Sequence, residues 1–357
     1  MKRNFIRRVL KSAVYSLPGV TRERVFDLVK RVSKGVVASL PNVAIEAVVA
    51  SLPNVAKEAI VASLPYVAKE AVFEQICDDF GRFAVIARCA PYCNVVGLRV
   101  SGSYGVIQSA PDDDTILRQY AKTGTWAERT NNLFRSFFAD RGGNYIDVGA
   151  NIGLTTIPVA QNPHVRCLAI EPEPQNFANL CVNIAENCPY NNVEVQRLAM
   201  FVRRQRLSLE LSSGNLGDLR LRIDEKAGNY GEERRATIDV EAMPLDEIAG
   251  NLNGPLAVKI DTQGAEPFVV SGGKETLGRA GLVVCEFWPY GMSRLGANFD
   301  DLIVFLRDQF STLAIAMREE ATVLPPRPSA EVCEELSAFV AAHTNNPLMY
   351  LDVIARR

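Results

Sequence analysis

The stretch Tyr145-Ile-Asp-Val-Gly-Ala-Asn-Ile-Gly153 decides the fold. Asn144 to Val148 reads as a buried strand that runs into the glycine turn Gly149–Gly153. Leu154–Ala160 can open a helix, although Pro158 confines it to a first turn or kinks it. Val165-Arg-Cys-Leu-Ala-Ile170 is a second buried strand, and it ends at Glu171. Asp147 and Glu171 are 24 residues apart, the length of one strand–helix–strand unit. Strand-like and helix-like segments then alternate to the end, which predicts an α/β sheet covered on both faces. In such sheets ligands sit beyond the carboxyl ends of the strands. Asp147, Gly149, Asn151, Gly153, Glu171 and Pro172 are therefore the candidate cofactor contacts.

The chemistry of the turn separates two cofactor classes. A dinucleotide turn is G-x-G-x-x-G, in which the second glycine lets the backbone approach a pyrophosphate. Here Ala150 and Asn151 stand where a phosphate loop wants glycine, and Asp147 puts a negative charge at the strand end. That charge would repel a pyrophosphate and suits the ammonium of a methionine moiety, or a water bound to it. Glu171, one strand over, can accept both hydroxyls of a ribose. Charge thus favours S-adenosyl-L-methionine over a nicotinamide dinucleotide, although a carboxylate at a strand end is often only structural.

Composition sets the outer bounds. The 357 residues allow a domain of about 200–250 residues plus an extra segment. Hydrophobic residues make up 48% and charged residues 22%, ordinary for a globular protein. A net charge of −2 gives the whole chain no electrostatic reason to bind nucleic acid. No apolar run reaches the roughly 20 residues that cross a bilayer. Met1-Lys-Arg is not followed by a sustained apolar core and a cleavage site. The eight cysteines include no CxxC pair, and the histidines are only His164 and His343. Free thiols in a cytoplasmic protein and no metal site are the expectation.

The amino-terminal third reads differently. Residues 1–34 hold ten basic side chains against Glu23 and Asp27, and Phe5, Ile6, Val9, Leu10 and Val14 recur at helical spacing. Such a segment, taken as 1–35, either packs its apolar face on the protein or lies on an anionic membrane surface. Val36-Val-Ala-Ser-Leu-Pro-Asn-Val-Ala-Ile-Glu-Ala47 then recurs at 48–59 and 60–71 with period 12. Pro41, Pro53 and Pro65 break the three units into short or kinked helices. The repeats read as a tolerated tandem duplication lengthening a helical arm, or as an arm for self-association or membrane proximity. Residues 72–125 form a linker or cap, with a hairpin near Gly97–Gln108 and a helix near 112–122. Residues 126–357 are the main domain.

From about Trp126 to Trp288 the chain resembles the FkbM family of class I methyltransferases. The resemblance rests on Tyr145 to Thr155 and on Ile170-Glu-Pro-Glu-Pro174 with Phe177, Leu180, Asn183 and Asn187. It also rests on Pro244-Leu-Asp-Glu-Ile248, Val258-Lys-Ile-Asp-Thr-Gln-Gly-Ala-Glu266 and Val284-Cys-Glu-Phe287. It implies a Rossmann-like, seven-stranded, mostly parallel sheet with a reversed final strand. The strand candidates are 144–148, 165–170, 193–198, 256–261, 282–287, 311–317 and 348–354. Arg203–Asp239 would be an insertion between the third and fourth strands, either a hairpin near the active site or a surface hairpin without a role in it.

The resemblance also places the reaction. The strand end before Gly264 would face the methyl donor, making Lys259, Asp261 and Glu266 site candidates. Glu286 ends the next strand, and Trp288 beside it either stacks on a sugar ring or closes the core. Lys259 also reads as only a partner for a neighbouring carboxylate, and Glu266 as only a cap for the following turn. Family members commonly carry Glu where this chain has Gln263, so Asp261 is the better base. The implied activity is O-methylation of a hydroxyl on a glycan or small molecule, with Asp261, assisted or replaced by Glu286, taking the proton. Transfer to nitrogen, protein or lipid, or a scaffold acting through the arm, are the alternatives.

Overall fold

The computed structural model describes residues 97–111, 113–212, 215–223, 228, 231–250, 252–317 and 323–357. The basic segment at 1–35, the repeats at 36–71 and the first part of the 72–125 linker lie outside the described residues. Strands β1 (Leu98–Gly102) and β2 (Gly105–Ser109) form an antiparallel hairpin, followed by helices α1 (Ile116–Thr123) and α2 (Glu128–Phe137). The core begins with β3 (Gly143–Val148), α3 (Ile157–Ala160), β4 (Val165–Ile170), α4 (Pro174–Asn187) and β5 (Val193–Gln196). A small sheet of β6 (Ala199–Met200), β7 (Gln205–Glu210), β8 (Arg220–Arg222) and β9 (Thr237–Met243) interrupts it. After α5 (Leu245–Ile248) come β10 (Leu256–Ile260), α6 (Glu266–Ser271), α7 (Lys274–Leu277) and β11 (Leu282–Phe287). The chain ends with α8 (Pro289–Arg294), α9 (Phe299–Gln309), β12 (Thr312–Ala316), β13 (Arg327–Pro328), α10 (Ser329–His343) and β14 (Leu351–Arg356).

The main sheet has the order β13-β12-β14-β11-β10-β3-β4-β5. Strands β3, β4, β5, β10 and β11 pair in parallel, whereas β14 runs antiparallel between β11 and β12. This is the expected Rossmann-like α/β sheet with a reversed final strand, and the short β13 adds an antiparallel edge. The chain builds outward from β3 through β4 to β5, then returns to lay β10 on the other side of β3. The carboxyl ends of β3 and β10 therefore flank the switch in strand order, where a ligand crevice is expected. Among the described residues, no helix is long and apolar enough to cross a membrane.

Burial explains the strand sequences. β3, β10 and β11 are enclosed at nearly every position and carry one charged residue each: Asp147, Lys259 and Glu286. Lys259 is the register partner of Asp147 across the β3–β10 pair, so the two charges share a face. Pro158 sits in the first turn of α3, which spans only four residues. The insertion differs from a simple hairpin. β7 pairs with both β8 and β9, and β9 with β6, in the order β6-β9-β7-β8. The alternation of Leu207 and Leu209 puts both against a cluster with Leu221, Val240, Ala242, Phe201, Ala265 and Leu295.

The asparagines of α4 hold the hairpin to the core. Asn179, Asn183 and Asn187 recur every four residues and so share a helix face. Asn183 accepts from the Gln108 amide at 2.7 Å and donates to the Gln108 carbonyl at 2.9 Å. Asn187 does the same for Val106, at 3.0 and 2.9 Å. The helix thus offers β2 a substitute strand edge. Asn183 also donates to the Ile152 carbonyl at 2.9 Å, inside the glycine turn. Asn183→Ala leaves these buried backbone groups without partners, and a loss of about 2–3 kcal/mol is expected in urea unfolding. A loss below about 0.5 kcal/mol would show that water replaces the amide.

Candidate active site

A cavity of about 690 Å³ opens beyond the carboxyl ends of β3, β4, β10 and β11. One end is walled by Gly149, Asn151, Glu171 and Pro172, the other by Asp261, Gln263, Glu286 and Asp352. Trp126 and the loop Asn215–Arg220 also line it. Asn151 and Asn176 both donate to the Leu216 carbonyl, at 2.8 and 2.9 Å, and tie this loop to the glycine-turn end.

Gly149 has φ 81°, and a Cβ there would lie 1.9 Å from the Asp261 carbonyl oxygen. Only glycine lets the β3 turn pass this close to the end of β10. The Glu171 carboxylate accepts from the backbone N–H of Asn151 and of Glu173, each at 2.9 Å. Burial raises its pKa to about 7, against the pull of those two hydrogen bonds. Each oxygen keeps a lone pair for a further donor. Ile152, Leu198 and Met200 supply apolar wall nearby.

Two turn residues serve other purposes than expected. Asp147 is fully buried and does not line the cavity. Its Oδ2 accepts the Thr155 and Thr156 hydroxyls at 2.6 and 2.7 Å, and its Oδ1 lies 3.4 Å from the Lys259 Nζ. It braces the turn from behind and does not reach the cavity wall. The charge argument drawn from it loses its direct form, because the nearest charge to Asp147 is Lys259. Gly153, with φ 96°, packs against Leu180 and Ile157, away from the cavity.

The other end gathers carboxylates. Asp261 has 40% of its side-chain surface exposed. Its Oδ2 lies 3.4 Å from Lys259 Nζ, and its Oδ1 accepts from Gln263 Nε2 at 2.9 Å. The same amide nitrogen donates to Glu286, at 3.0 and 3.2 Å. Asp352 is the register partner of Glu286 on β14 and is salt-bridged to Arg129 at 2.8 Å. Burial, then the charges of Asp261, Glu266 and Asp352, push Glu286 well above the usual carboxylate range. Glu286 therefore gives up its proton less readily than an ordinary carboxylate. Burial alone would lower the Lys259 ammonium, but Asp261 and Asp147 outweigh it and hold it above its ordinary value. Lys259 is a fixed cation, unfit to take a proton. Among the described residues, no group of three or more His, Cys, Asp or Glu is placed to hold a metal ion.

The structure places Glu266 and Trp288, the candidate acceptor contacts, differently. Glu266 is fully buried and accepts from the Thr262 amide at 2.8 Å and the Gly264 amide at 3.0 Å. It fixes the loop that carries Gln263 and does not reach the cavity. Trp288 does line the cavity, but it is only 4% exposed. Its indole N–H donates to the Pro347 carbonyl at 3.0 Å, and the Arg220 guanidinium lies over its ring at 4.5 Å. Arg220 thus covers one face of the ring, and Trp288 forms part of the cavity wall. The sequence reading missed Asp352 and Arg129, whereas the cavity-lining Asn215–Arg220 loop falls inside the Arg203–Asp239 insertion that it offered as a hairpin near the active site. The register of the last two strands was the one signal for Asp352.

The fold, the glycine turn and the paired strand-end carboxylates define a Rossmann-like domain of the class I methyltransferase type. Residues 147–310 match the family described as Methyltransferase FkbM domain. Among curated proteins, none matches the sequence. One similar solved structure is the precorrin-6Y C5,15-methyltransferase of Geobacter metallireducens, at 12% identity and TM-score 0.31, covering 64% of this chain and 87% of that one. Another is the C-terminal domain of its Rhodobacter capsulatus namesake, at 13% identity and TM-score 0.31, covering 64% and 89%. A third is a NADB-Rossmann superfamily protein of Streptococcus agalactiae, at 11% identity and TM-score 0.32, covering 65% and 67%.

Proposed function

We propose that the cavity holds S-adenosyl-L-methionine and that the protein methylates a hydroxyl of a glycan or small molecule. The observation that carries this is one cavity joining the Gly149 turn and Glu171 to Asp261 and Glu286. Its size suits a small-molecule cofactor with part of an acceptor. Glu171 would hold ribose hydroxyls, and Gly149, Asn151 and Pro172 would line the nucleoside side. When bound, the donor supplies a methyl group already activated on a sulfonium.

The chain's own residues supply alignment and a base. Asp261 is the exposed carboxylate, and it takes the acceptor's proton as the new bond forms. Lys259 and Gln263 each hold one of its oxygens, which fixes the carboxylate in place. Among the described residues, Lys259, Arg129 and the cavity-lining Arg220 are already in ion pairs, and a phosphate or carboxylate on the acceptor would face Asp261 and Asp352, which favours a neutral hydroxyl.

Titration calorimetry tests the cofactor half. S-adenosylmethionine and its demethylated product should bind, and NAD should not; NAD binding alone would overturn the reading. Glu171→Ala should weaken donor binding by about 1.5–3 kcal/mol. The pH dependence has a definite sign. The anion accepts hydroxyl donors and the acid does so less well. Donor affinity should therefore fall as pH drops below the Glu171 value of about 7, by about tenfold per unit at most. Glu171→Gln should flatten this profile. An unchanged profile would mean that Glu171 braces Asn151 without touching the donor.

A further inference from the structure

One buried amide in the cavity wall is only half used. Asn176 lies in the first turn of α4, is 1% exposed and lines the cavity, as Glu171 and Asn151 do. Its Nδ2 donates to the Leu216 carbonyl at 2.9 Å. That partner can only accept, so the amide cannot turn round without setting two oxygens against each other. Its Oδ1 is buried, and among the described residues nothing donates to it. Buried amide oxygens are ordinarily hydrogen-bonded, and one left without a donor is costly. In the wall of a cavity, the missing donor is one that a ligand can bring.

Hydrogen bonds tie this amide to the same corner as Glu171. The Asn151 N–H donates to Glu171 Oε2 at 2.9 Å. The Asn151 side chain donates at 2.8 Å to the Leu216 carbonyl, the atom that also holds Asn176. On the other side, the Glu173 N–H donates to Glu171 Oε1 at 2.9 Å, and the Asn176 N–H to Glu173 Oε2 at 2.6 Å. The glycine turn, the start of α4 and the Leu216 loop thus close a ring of contacts that contains both the Glu171 carboxylate and the Asn176 amide. Resting on the proposed cofactor reading, we propose that Asn176 is a further binding residue for the methyl donor, its Oδ1 accepting one ribose hydroxyl so that Glu171 and Asn176 share the two. S-adenosylmethionine also carries an ammonium and an adenine amino group. The ring favours the ribose over both, because it joins Asn176 to the carboxylate that the hydroxyls engage.

Calorimetry with S-adenosylhomocysteine and analogues that each lack one of these groups tests the assignment. The analogues are its 2′-deoxy and 3′-deoxy forms, its inosine form without the adenine amino group, and 5′-methylthioadenosine without the amino-acid portion. In the wild-type protein each deoxy form should bind about tenfold weaker than the parent. Asn176→Leu keeps the branched shape and removes the acceptor. It should shrink that loss to about twofold for one deoxy form and leave it unchanged for the other, which Glu171 still holds. The inosine form and 5′-methylthioadenosine should lose the same factor in both proteins. Asn176→Ala repeats the comparison should Asn176→Leu fail to fold. A residue that only braces the Leu216 loop would weaken parent and analogues alike, and that result would overturn the proposal. Coupling confined to the inosine form or to 5′-methylthioadenosine would also overturn it, by moving the contact to the base or the ammonium. In the wild-type protein alone, deoxy forms that bind within about twofold of the parent would do the same. Failure of the wild-type protein to bind S-adenosylmethionine or S-adenosylhomocysteine would instead overturn the cofactor reading beneath it.

Discussion

Asp261→Asn is expected to cut methyl transfer by about 10²–10⁴-fold while leaving the donor's dissociation constant within about twofold. Asparagine keeps the volume and can keep an oxygen for the Gln263 amide, so the loop should hold its shape. Lys259 keeps Asp147 as a partner at 3.4 Å, so no buried cation is stranded. What disappears is the basicity of the exposed carboxylate in the cavity. Glu286→Gln is the informative control. Burial and its carboxylate neighbours disfavour the ionised form of Glu286, and glutamine mimics its neutral form. Its turnover should fall by about tenfold or less near pH 7. The opposite pattern, a large defect in Glu286→Gln with near-normal Asp261→Asn, would make Glu286 the base. A defect in Asp261→Asn confined to the acceptor's KM would make Asp261 a holder of the hydroxyl and not its base.

The sheet was legible because its strands are buried on both faces. Runs such as Leu282-Val-Val-Cys285 and Leu256-Ala-Val258 have no other comfortable place, and the turn at Gly149 marks where the first of them ends. The candidate site was legible only in part, and the reason is geometric. Sequence places a residue at a strand end but does not say which side of the strand end it takes. Asp147 and Asp261 both close strands of the same crevice, yet Asp147 points behind the turn to Thr155 and Thr156, whereas Asp261 lines the cavity. Glu266 and Glu286 are likewise both acidic and near the mouth. Glu266 is spent on two backbone amides two and four residues before it, a local contact that spacing alone could have suggested. Gln263 was set aside because it cannot exchange a proton, but its value lies in what it donates to. The insertion was read as a hairpin from its alternating leucines; its pairing with β6 depends on Ala199 and Met200, too short a run to announce a strand.

The buried Asp147–Lys259 pair is expected to dominate the stability of the site's floor. Asp147→Leu should destabilise the protein by about 3–5 kcal/mol, because it leaves a nearly enclosed ammonium short of one counter-charge and strands two hydroxyls. Lys259 would keep Asp261, whose charge is shared with solvent, and the Gly149 carbonyl at 3.3 Å. The threonine hydroxyls, at 2.6 and 2.7 Å from Asp147 Oδ2, would lose their acceptor inside the core. Lys259→Met should also destabilise, since it leaves the Asp147 carboxylate buried with hydroxyl donors but no cation. If the pair itself is the source of these losses, the double variant Asp147→Leu with Lys259→Met should be markedly more stable than the sum of the two single effects predicts. Two apolar side chains of similar volume remove both charges from the floor at once. The measurement is a double-mutant cycle in urea, with the slope of each transition checked for two-state unfolding. A coupling near zero would mean that the losses come from the threonine hydroxyls and repacking of the turn. In that case Asp147 would be a bracket for residues 155–156, and its pairing with Lys259 would matter only through the position of Asp261.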